Sequence, residues 1–376
     1  MKAIISFLAA ASMFAVAPPL AAQTIGVLED VARFDGPMPT GVTVASSGRV
    51  FVNYPRWGDD VPFTVAEIKD GKATAYPNED LNRGDPSRPA DTLLSVQSVV
   101  ADGKNRLWIL DTAAPGFQTR VSGGAKLVAV DLATDRIVRT IVIPDDVALA
   151  TTYVNDVRFD LRNGDGVAYI TDSSVSGPGG IIVVDLGTGR AVRRLTGHPS
   201  TSPDPLFKPV VDGREMLVRP KSGPTKPFRV ASDGIAISPD GETLYYCPLS
   251  SRRLYAVPTS ALRDPSLSDA DLAAKVTELG EKGASDGLET DDKGRVYAGD
   301  YENNAVRRLE NGAWTTILQD DRVSWPDTFS ISGDGFLYFT ANQLHRQAGF
   351  NEGVDLRRRP YHLYRVKIGA GPVVLK

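Results

Sequence analysis

Four polar residues of this 376-residue chain hold one place in a recurring pattern: Asn155, Asp233, Asp286 and Asp327 each stand just before a short apolar strand. Thr40 and Val96 hold that place in two earlier copies. Arranged around an axis, the copies bring an amide and three carboxyl groups into one small volume, where like charges raise one another's pKa unless a proton or a cation is shared. Two chemistries suit such a set. Asn155, Asp233 and Asp286 are the oxygen donors that a hard cation such as calcium takes. Alternatively, Asp233, Asp286 and Asp327 act as protonated and ionised partners in acid/base catalysis, with Asn155 orienting a polar group. A third reading is structural, because an Asp before Gly often caps a turn by bonding its own backbone, and a repeat multiplies the habit.

The elements that position these residues are six copies of one hairpin: GVTVASSGRVFV from Gly41, SVVADGKNRLWIL from Ser98, DVRFDLRNGDGVAYI from Asp156, GIAISPDGETLYYC from Gly234, GLETDDKGRVYAGD from Gly287 and TFSISGDGFLYFT from Thr328. Each pairs a turn rich in Asp, Gly, Ser or Asn with flanks of β-branched and aromatic residues. The spacing leaves room for a second hairpin per copy, as in AKLVAVDLATDRIVRTIVI from Ala125 and GGIIVVDLGTGRAVRRLTG from Gly179. Four strands repeated radially six times predict an all-β fold, a six-bladed β-propeller in a single domain.

Two stretches depart from the repeat. Residues 196–230 carry seven prolines and read as a long loop, either a lid over a binding site or an ordered surface insertion. From Thr259 to Leu279, Ser268 and Asp271 resemble a capping box ahead of Leu272, and the stretch reads as a short surface helix. The basic run Arg357–Arg359 reads as a solvated edge.

Residues 1–22 read as a secretory signal peptide: Lys2, an apolar run from Ala3 to Val16, a Pro-Pro break, then small residues ending at Ala22. The expected mature propeller, 23–376, is secreted or periplasmic. The apolar run is shorter than the roughly 20 residues that cross a bilayer, so no membrane partner is expected. Lys and Arg number 42 against 46 Asp and Glu, a net charge of −4 that excludes a phosphate-binding surface for nucleic acid. One cysteine, Cys247 in LYYCPL, allows no internal disulfide and reads as a buried, inert thiol. His198, His345 and His362 lack the rhythm of a zinc site. Gly283, Ser285 and Gly287 spell G-x-S-x-G, yet they precede a strand and not the strand-to-helix turn of a nucleophile elbow.

GRVFVNYPRW (48–57), LWILDT (107–112), YVNDVRFD (153–160), AYITDS (168–173), LYYCPLSSRRLYAVPTSALR (244–263), GDYENNAV (299–306), WPDTFSISGDGFLYFTANQLHR (325–346) and PYHLYRV (360–366) together resemble the yellow and major royal jelly protein family. The resemblance implies a secreted six-bladed propeller with a ligand-sized central channel. Its relatives include proteins similar to dopachrome tautomerases, proteins that bind biogenic amines, and storage proteins. A more distant resemblance, to the gluconolactonase and senescence-marker group, implies a calcium site of Glu, Asn and Asp. Here Thr40 stands where that group has Glu, Asp233 and Asp286 take the later ligand positions, and Asn155 takes a substrate-contact position.

Three functions are therefore expected. The first is binding, and isomerisation, of a small aromatic or amine-type ligand in the channel: Asp233, Asp286 and Asp327 attract the amine or move a proton, Asn155 and Thr40 contact it, and Tyr54, Trp325 and Phe329 wall it by stacking. The second is a calcium-dependent lactonase and the third a non-catalytic ligand-binding scaffold. Calcium is the one cofactor considered, a small molecule the expected partner, and the oligomeric state is left open.

Overall fold

The structure is a computed structural model and describes residues 26–376; the expected signal peptide, 1–22, and its junction at Ala22 lie outside the described residues. The hairpin turns fold on residues that tolerate positive φ, among them Asn105 (58°) and Gly335 (83°). Around them the chain forms six four-stranded antiparallel sheets. Blade 1 covers residues 42–75, blade 2 96–142, blade 3 154–194, blade 4 232–281, blade 5 288–319 and blade 6 326–367.

Blade 6 takes its outermost strand from the start of the chain. Glu29–Phe34 pairs antiparallel with Tyr361–Lys367, so the ring is closed by a hydrogen-bonded ladder. The repeat pattern concealed this strand, because it lies ahead of the first copy. No disulfide contributes to closure: Cys247 is free and buried.

Burial falls from axis to rim. Every residue of the blade 3 inner strand, Val154–Asp160, is buried, while the rim strand Arg136–Val142 of blade 2 is mostly exposed. The apolar core divides into six clusters, one at each junction between blades. At the junction of blades 2 and 3, for example, Trp108 stacks on Phe159 with ring centroids 5.0 Å apart. Each blade thus buries its faces against two neighbours, and the single domain follows from that ring.

Residues 196–230 lie outside the six sheets. They form a 3-10 turn at Pro199–Thr201 and two short ribbons, Val210–Val211 with Arg214–Glu215 and Leu217–Val218 with Lys226–Pro227. Phe207, Val211, Met216, Phe228 and Val230 anchor the segment to the core between blades 6 and 1. The expected helix over 259–279 is corrected to two short helices, Thr259–Arg263 and Asp269–Ala273, followed by the blade 4 rim strand Thr277–Glu281. Pro265 lies between the helices and ends the first. Ser268 does cap the second: its Oγ accepts from Asp271 N at 3.2 Å and donates to Asp271 Oδ2 at 2.7 Å.

Candidate functional site

The inner strands of blades 2, 3, 4 and 6 each begin with a bulge, and the bulge aims the polar residues. In blade 3 the ladder steps from Val154 opposite Asp172 to Val157 opposite Ile170; in blade 4 from Ser232 opposite Pro248 to Ile235 opposite Tyr246; in blade 6 from Pro326 opposite Ala341 to Phe329 opposite Phe339. The extra residue turns Asn155, Asp233 and Asp327 off the ladder and into the channel. In blade 5 pairing begins only at Leu288, two residues after Asp286. In blade 2 the shift falls between Val96 and Ser98, so Gln97 faces the channel and Val96 does not. Gln97, Asn155, Asp233, Asp286 and Asp327 line one cavity of about 520 Å³.

Neighbouring inner strands meet closely here, and glycine permits it. A Cβ on Gly234 would sit 2.3 Å from the Asp286 carbonyl oxygen, and one on Gly287 2.4 Å from that of Asp327. The Asp-Gly pairs are therefore packing devices between blades. In blades 2 and 3 the end of strand two secures these starts: Asp111 accepts from Leu94 N and Ser95 N, and Asp172 accepts from Tyr153 N and Thr152 Oγ1.

The carboxyl groups form a bonded set. Asn155 Nδ2 donates to Asp233 Oδ1 at 2.5 Å and Ser173 Oγ donates to Asp233 Oδ2 at 2.8 Å. Trp325 Nε1 donates to Asp286 Oδ2 at 2.7 Å, and Asn342 Nδ2 donates to Asp327 Oδ2 at 2.6 Å. Asp233 and Asp286 adjoin, so that each affects the other's titration. None of the three carboxyls caps its own turn, which removes the structural reading. Burial pushes Asp233 well above the usual carboxyl range, and the neighbouring Asp286 charge adds to it. Burial likewise pushes Asp286 up to about 6, the bonds from Asp233 and Trp325 restraining the rise. Asp327 is raised well above the usual range, by burial first and by Asp286 second.

Farther along the inner strands, Arg158 pairs with Asp156 at 3.0 Å and donates to the Leu288 carbonyl at 2.7 Å, tying blade 3 to blade 5. The cavity walls are aromatic. Phe117 adjoins both Trp57 and Tyr153, with ring centroids 4.8 and 4.6 Å away and planes within 25°, and those two rings lie 6.3 Å apart, so the three close into one cluster. Trp57 Nε1 donates to Tyr153 Oη at 2.8 Å, and Tyr153 Oη donates to Gln97 Oε1 at 3.0 Å, so the stack is fixed to the floor. Phe117 holds φ at 56° and is 40% exposed, an unusual backbone and exposure for a phenylalanine. Opposite, the Pro-rich segment contributes Val218, Pro227 and Phe228, so this segment lies at the cavity as a lid would.

The Major royal jelly protein family model matches residues 94–366, which span blades 2 to 6. The chain belongs to this family. Among curated relatives, Protein yellow of Drosophila erecta and of Drosophila melanogaster are each 27% identical over 245 residues, a stretch that is 62% of this chain and 43% of each relative. The chain thus spans less than half the length of these relatives. Among solved structures, a luciferin-regenerating enzyme superposes with a TM-score of 0.55 at 11% identity, covering 93% of this chain and 99% of that one. A calcium-binding regucalcin from Agrobacterium tumefaciens gives 0.53 at 16% (94% and 97% covered). The gluconolactonase XC5397 from Xanthomonas campestris gives 0.54 at 14% (92% and 91%). At these identities the likeness is one of fold.

Within this family propeller, the structure brings Asn155, Asp233, Asp286 and Asp327 together, but not the other expected ligand contacts. Thr40 is fully buried and its hydroxyl accepts from Asn53 Nδ2 at 2.8 Å. Tyr54 packs edge-on against Phe34 and Phe63, and Phe329 packs on Phe339 between blades. Trp325 stands behind Asp286, stacked on Tyr301 at 4.0 Å. Each has a large apolar face, and the junctions claim it. The walls come instead from Trp57, Phe117, Tyr153 and Phe228. Two of these, Trp57 and Tyr153, lie in the family motifs GRVFVNYPRW and YVNDVRFD; nothing in the sequence marks Phe117 or Phe228.

A calcium site fits this arrangement poorly. Among the described residues no group of three or more His, Cys, Asp or Glu side chains is placed to hold a metal ion. Asn155 turns its Nδ2, not its oxygen, toward Asp233, and the blade 1 position is the closed Thr40. Ser285 of the G-x-S-x-G pattern is buried, its Oγ 3.6 Å from Cys247 Sγ.

Proposed function

We propose that this protein binds a small aromatic or quinone-like amine at the mouth of its central channel, with the ammonium over the Asp233–Asp286–Asp327 floor and the ring against the Trp57–Phe117–Tyr153 stack. The observation that carries this reading is the meeting of three buried carboxyl groups with a fixed aromatic wall in one cavity of about 520 Å³. That volume lies within the range of small-molecule sites. A cation entering there gains from the acidic floor and from the ring faces together. It also lowers the pKa of Asp286, so binding draws a proton off the set.

The same floor supports isomerisation. Asp233 and Asp286, adjoining carboxyls whose pKa values burial raises, are a donor and acceptor pair of the kind a tautomerisation needs, and Asp327, raised in the same sense, stands beside them. Dopachrome, a cyclised quinone amine, is the test substrate for that step. Lactone hydrolysis has less support, because it rests on shared fold and on a cation for which the donors are not arranged. Export of the chain, read from residues 1–22, accords with a site for an extracellular or periplasmic small molecule.

The experiment is titration calorimetry with tyramine and dopamine, beside a dopachrome absorbance assay, on the wild type, Asp233→Asn, Asp286→Asn and Phe117→Ala. Affinity falls at least tenfold in each variant, and turnover, where present, is lost in the two Asn variants. Unchanged affinity in all three overturns the placement. Binding without turnover identifies a non-catalytic scaffold.

A further inference from the structure

On the far side of Phe350 a second cavity, of about 450 Å³, opens between the Pro-rich segment and the 345–358 stretch of blade 6; Phe350 lines both cavities. Four arginines line it, Arg214 and Arg219 from the segment and Arg346 and Arg358 from the facing stretch, against the acidic Asp212 and Glu215. Their charges are unevenly satisfied. Asp212 takes both Arg346, at 2.7 Å, and His345 Nε2, at 2.9 Å. Among the described residues the Arg214 guanidinium meets only Glu352, at 3.6 Å, and the Arg219 guanidinium donates only to the Glu215 carbonyl, at 3.0 Å. Among the described residues the Arg358 guanidinium meets no acceptor; that residue is held by its backbone, through Gln343.

A second observation is independent of this charge. His345 lines the cavity, is 8% exposed, and its Nδ1 has no hydrogen-bond partner. With Nε2–H given to Asp212 and the ring stacked on Trp325, Nδ1 carries a lone pair that asks for a donor. A buried acceptor left without one destabilises the fold, and a donor supplied by a ligand relieves that. The cavity is also built in advance of any ligand. Asp212 and Gly213, at φ 51° and 75°, make the tight turn that carries Asp212 to His345. Two backbone bonds, Arg219 N to Gly349 O and Glu352 N to Arg219 O, both 2.8 Å, hold the walls together.

We propose that this cavity is a binding site for a small oxyanion that also carries a hydroxyl group: Arg219 and Arg358 take the carboxylate or phosphate, and the hydroxyl donates to Nδ1 of His345. Bidentate guanidinium pairing is the strongest recognition available for either anion. Because Arg219 belongs to the segment that also walls the channel, an anion held here joins that wall to blade 6.

The test is titration calorimetry of the full chain at neutral pH and constant ionic strength with L-malate, succinate, inorganic phosphate and chloride. Malate or hydrogen phosphate binds saturably at one site, malate more tightly than succinate, which lacks the hydroxyl. Chloride is silent. Arg219→Gln and Arg358→Gln, both outside the channel floor, each weaken binding at least tenfold without shifting the melting temperature in anion-free buffer. Malate binding with no phosphate binding assigns a carboxylate ligand, and the reverse a phosphate. Unsaturable heats, or affinities unchanged in both variants, overturn the site, and equal affinities for malate and succinate overturn the role of His345.

Discussion

The indole Nε1 of Trp325 donates to Asp286 Oδ2 at 2.7 Å, while the indole face lies parallel to Tyr301 with centroids 4.0 Å apart. An aromatic residue expected to touch a ligand thus fixes and ionises a carboxyl group instead. Trp325→Phe keeps most of the stacking area and deletes the donor. The pKa of Asp286 then rises above its value of about 6, because one of the bonds that favour its charged form is gone. Carboxyl carbon NMR across pH 4 to 9 measures it. The variant also loses about 1–3 kcal/mol of stability from the unsatisfied group, and an Asp286 titration at or below its wild-type position refutes the link.

Stability against pH follows from the same group. Asp286 titrates near 6 in the folded chain and near 4 when unfolded, so the folded state binds its proton more tightly. Its contribution is fully present below about pH 4 and is lost as pH rises through about 6, a change of roughly 3 kcal/mol. Asp286→Asn removes that contribution and, by deleting the charge that helps raise Asp233 and Asp327, lessens theirs in the same direction. Carboxylates held below their usual range, Asp160 and Asp212, act in the opposite sense but are common to both proteins and cancel in the difference. Denaturant melts of the two proteins from pH 4 to 8 should show the variant gaining relative to wild type as pH rises, and a constant difference excludes the linkage.

Gly287→Ala places a methyl group 2.4 Å from the Asp327 carbonyl oxygen, in a contact that also holds the bond from Gly287 N to that oxygen at 3.0 Å. The blades must separate to admit it. A loss of about 1–3 kcal/mol is expected from overpacking, more if the bond breaks. Gly333→Ala, in an open turn with nothing near its Cβ, is the control and changes stability little. Thermal melts of the two variants decide it, equal losses arguing against close approach at the channel.

The ring and its residues were legible for one reason: Asp233-Gly234 and Asp286-Gly287 recur because the blades repeat, and each copy must meet its neighbour at the axis. Which neighbouring residue faces the channel was not. In blade 2 a bulge between Val96 and Ser98 moves the channel-facing position to Gln97, and a one-residue shift of register leaves no trace in composition. Aromatic walls were misread for a related cause. Tyr54 and Phe329 alternate within strand patterns that serve the junctions, whereas Phe117 sits in a loop whose path only tertiary contacts define. The closing strand Glu29–Phe34 escaped because its partner lies at the other end of the chain.

Calcium tests the floor from the other side. A cation among Asn155, Asp233 and Asp286 would have to displace the protons that burial favours on the two carboxyls and turn the Asn155 amide around, since its Nδ2 now faces Asp233. Thr40, closed onto Asn53, supplies no carboxylate from blade 1. Chelation with EDTA therefore leaves the melting temperature of the purified protein unchanged, and added calcium does no more than potassium at equal ionic strength. A ligand bound by the folded state at a hundred times its Kd would stabilise it by about 2.7 kcal/mol, a shift that melting resolves readily. Scanning fluorimetry with metal analysis of the same sample makes the measurement. Stoichiometric calcium, lost on chelation together with a drop in melting temperature, would replace the proton-sharing floor with a cation site and bring lactones ahead of amines as ligands.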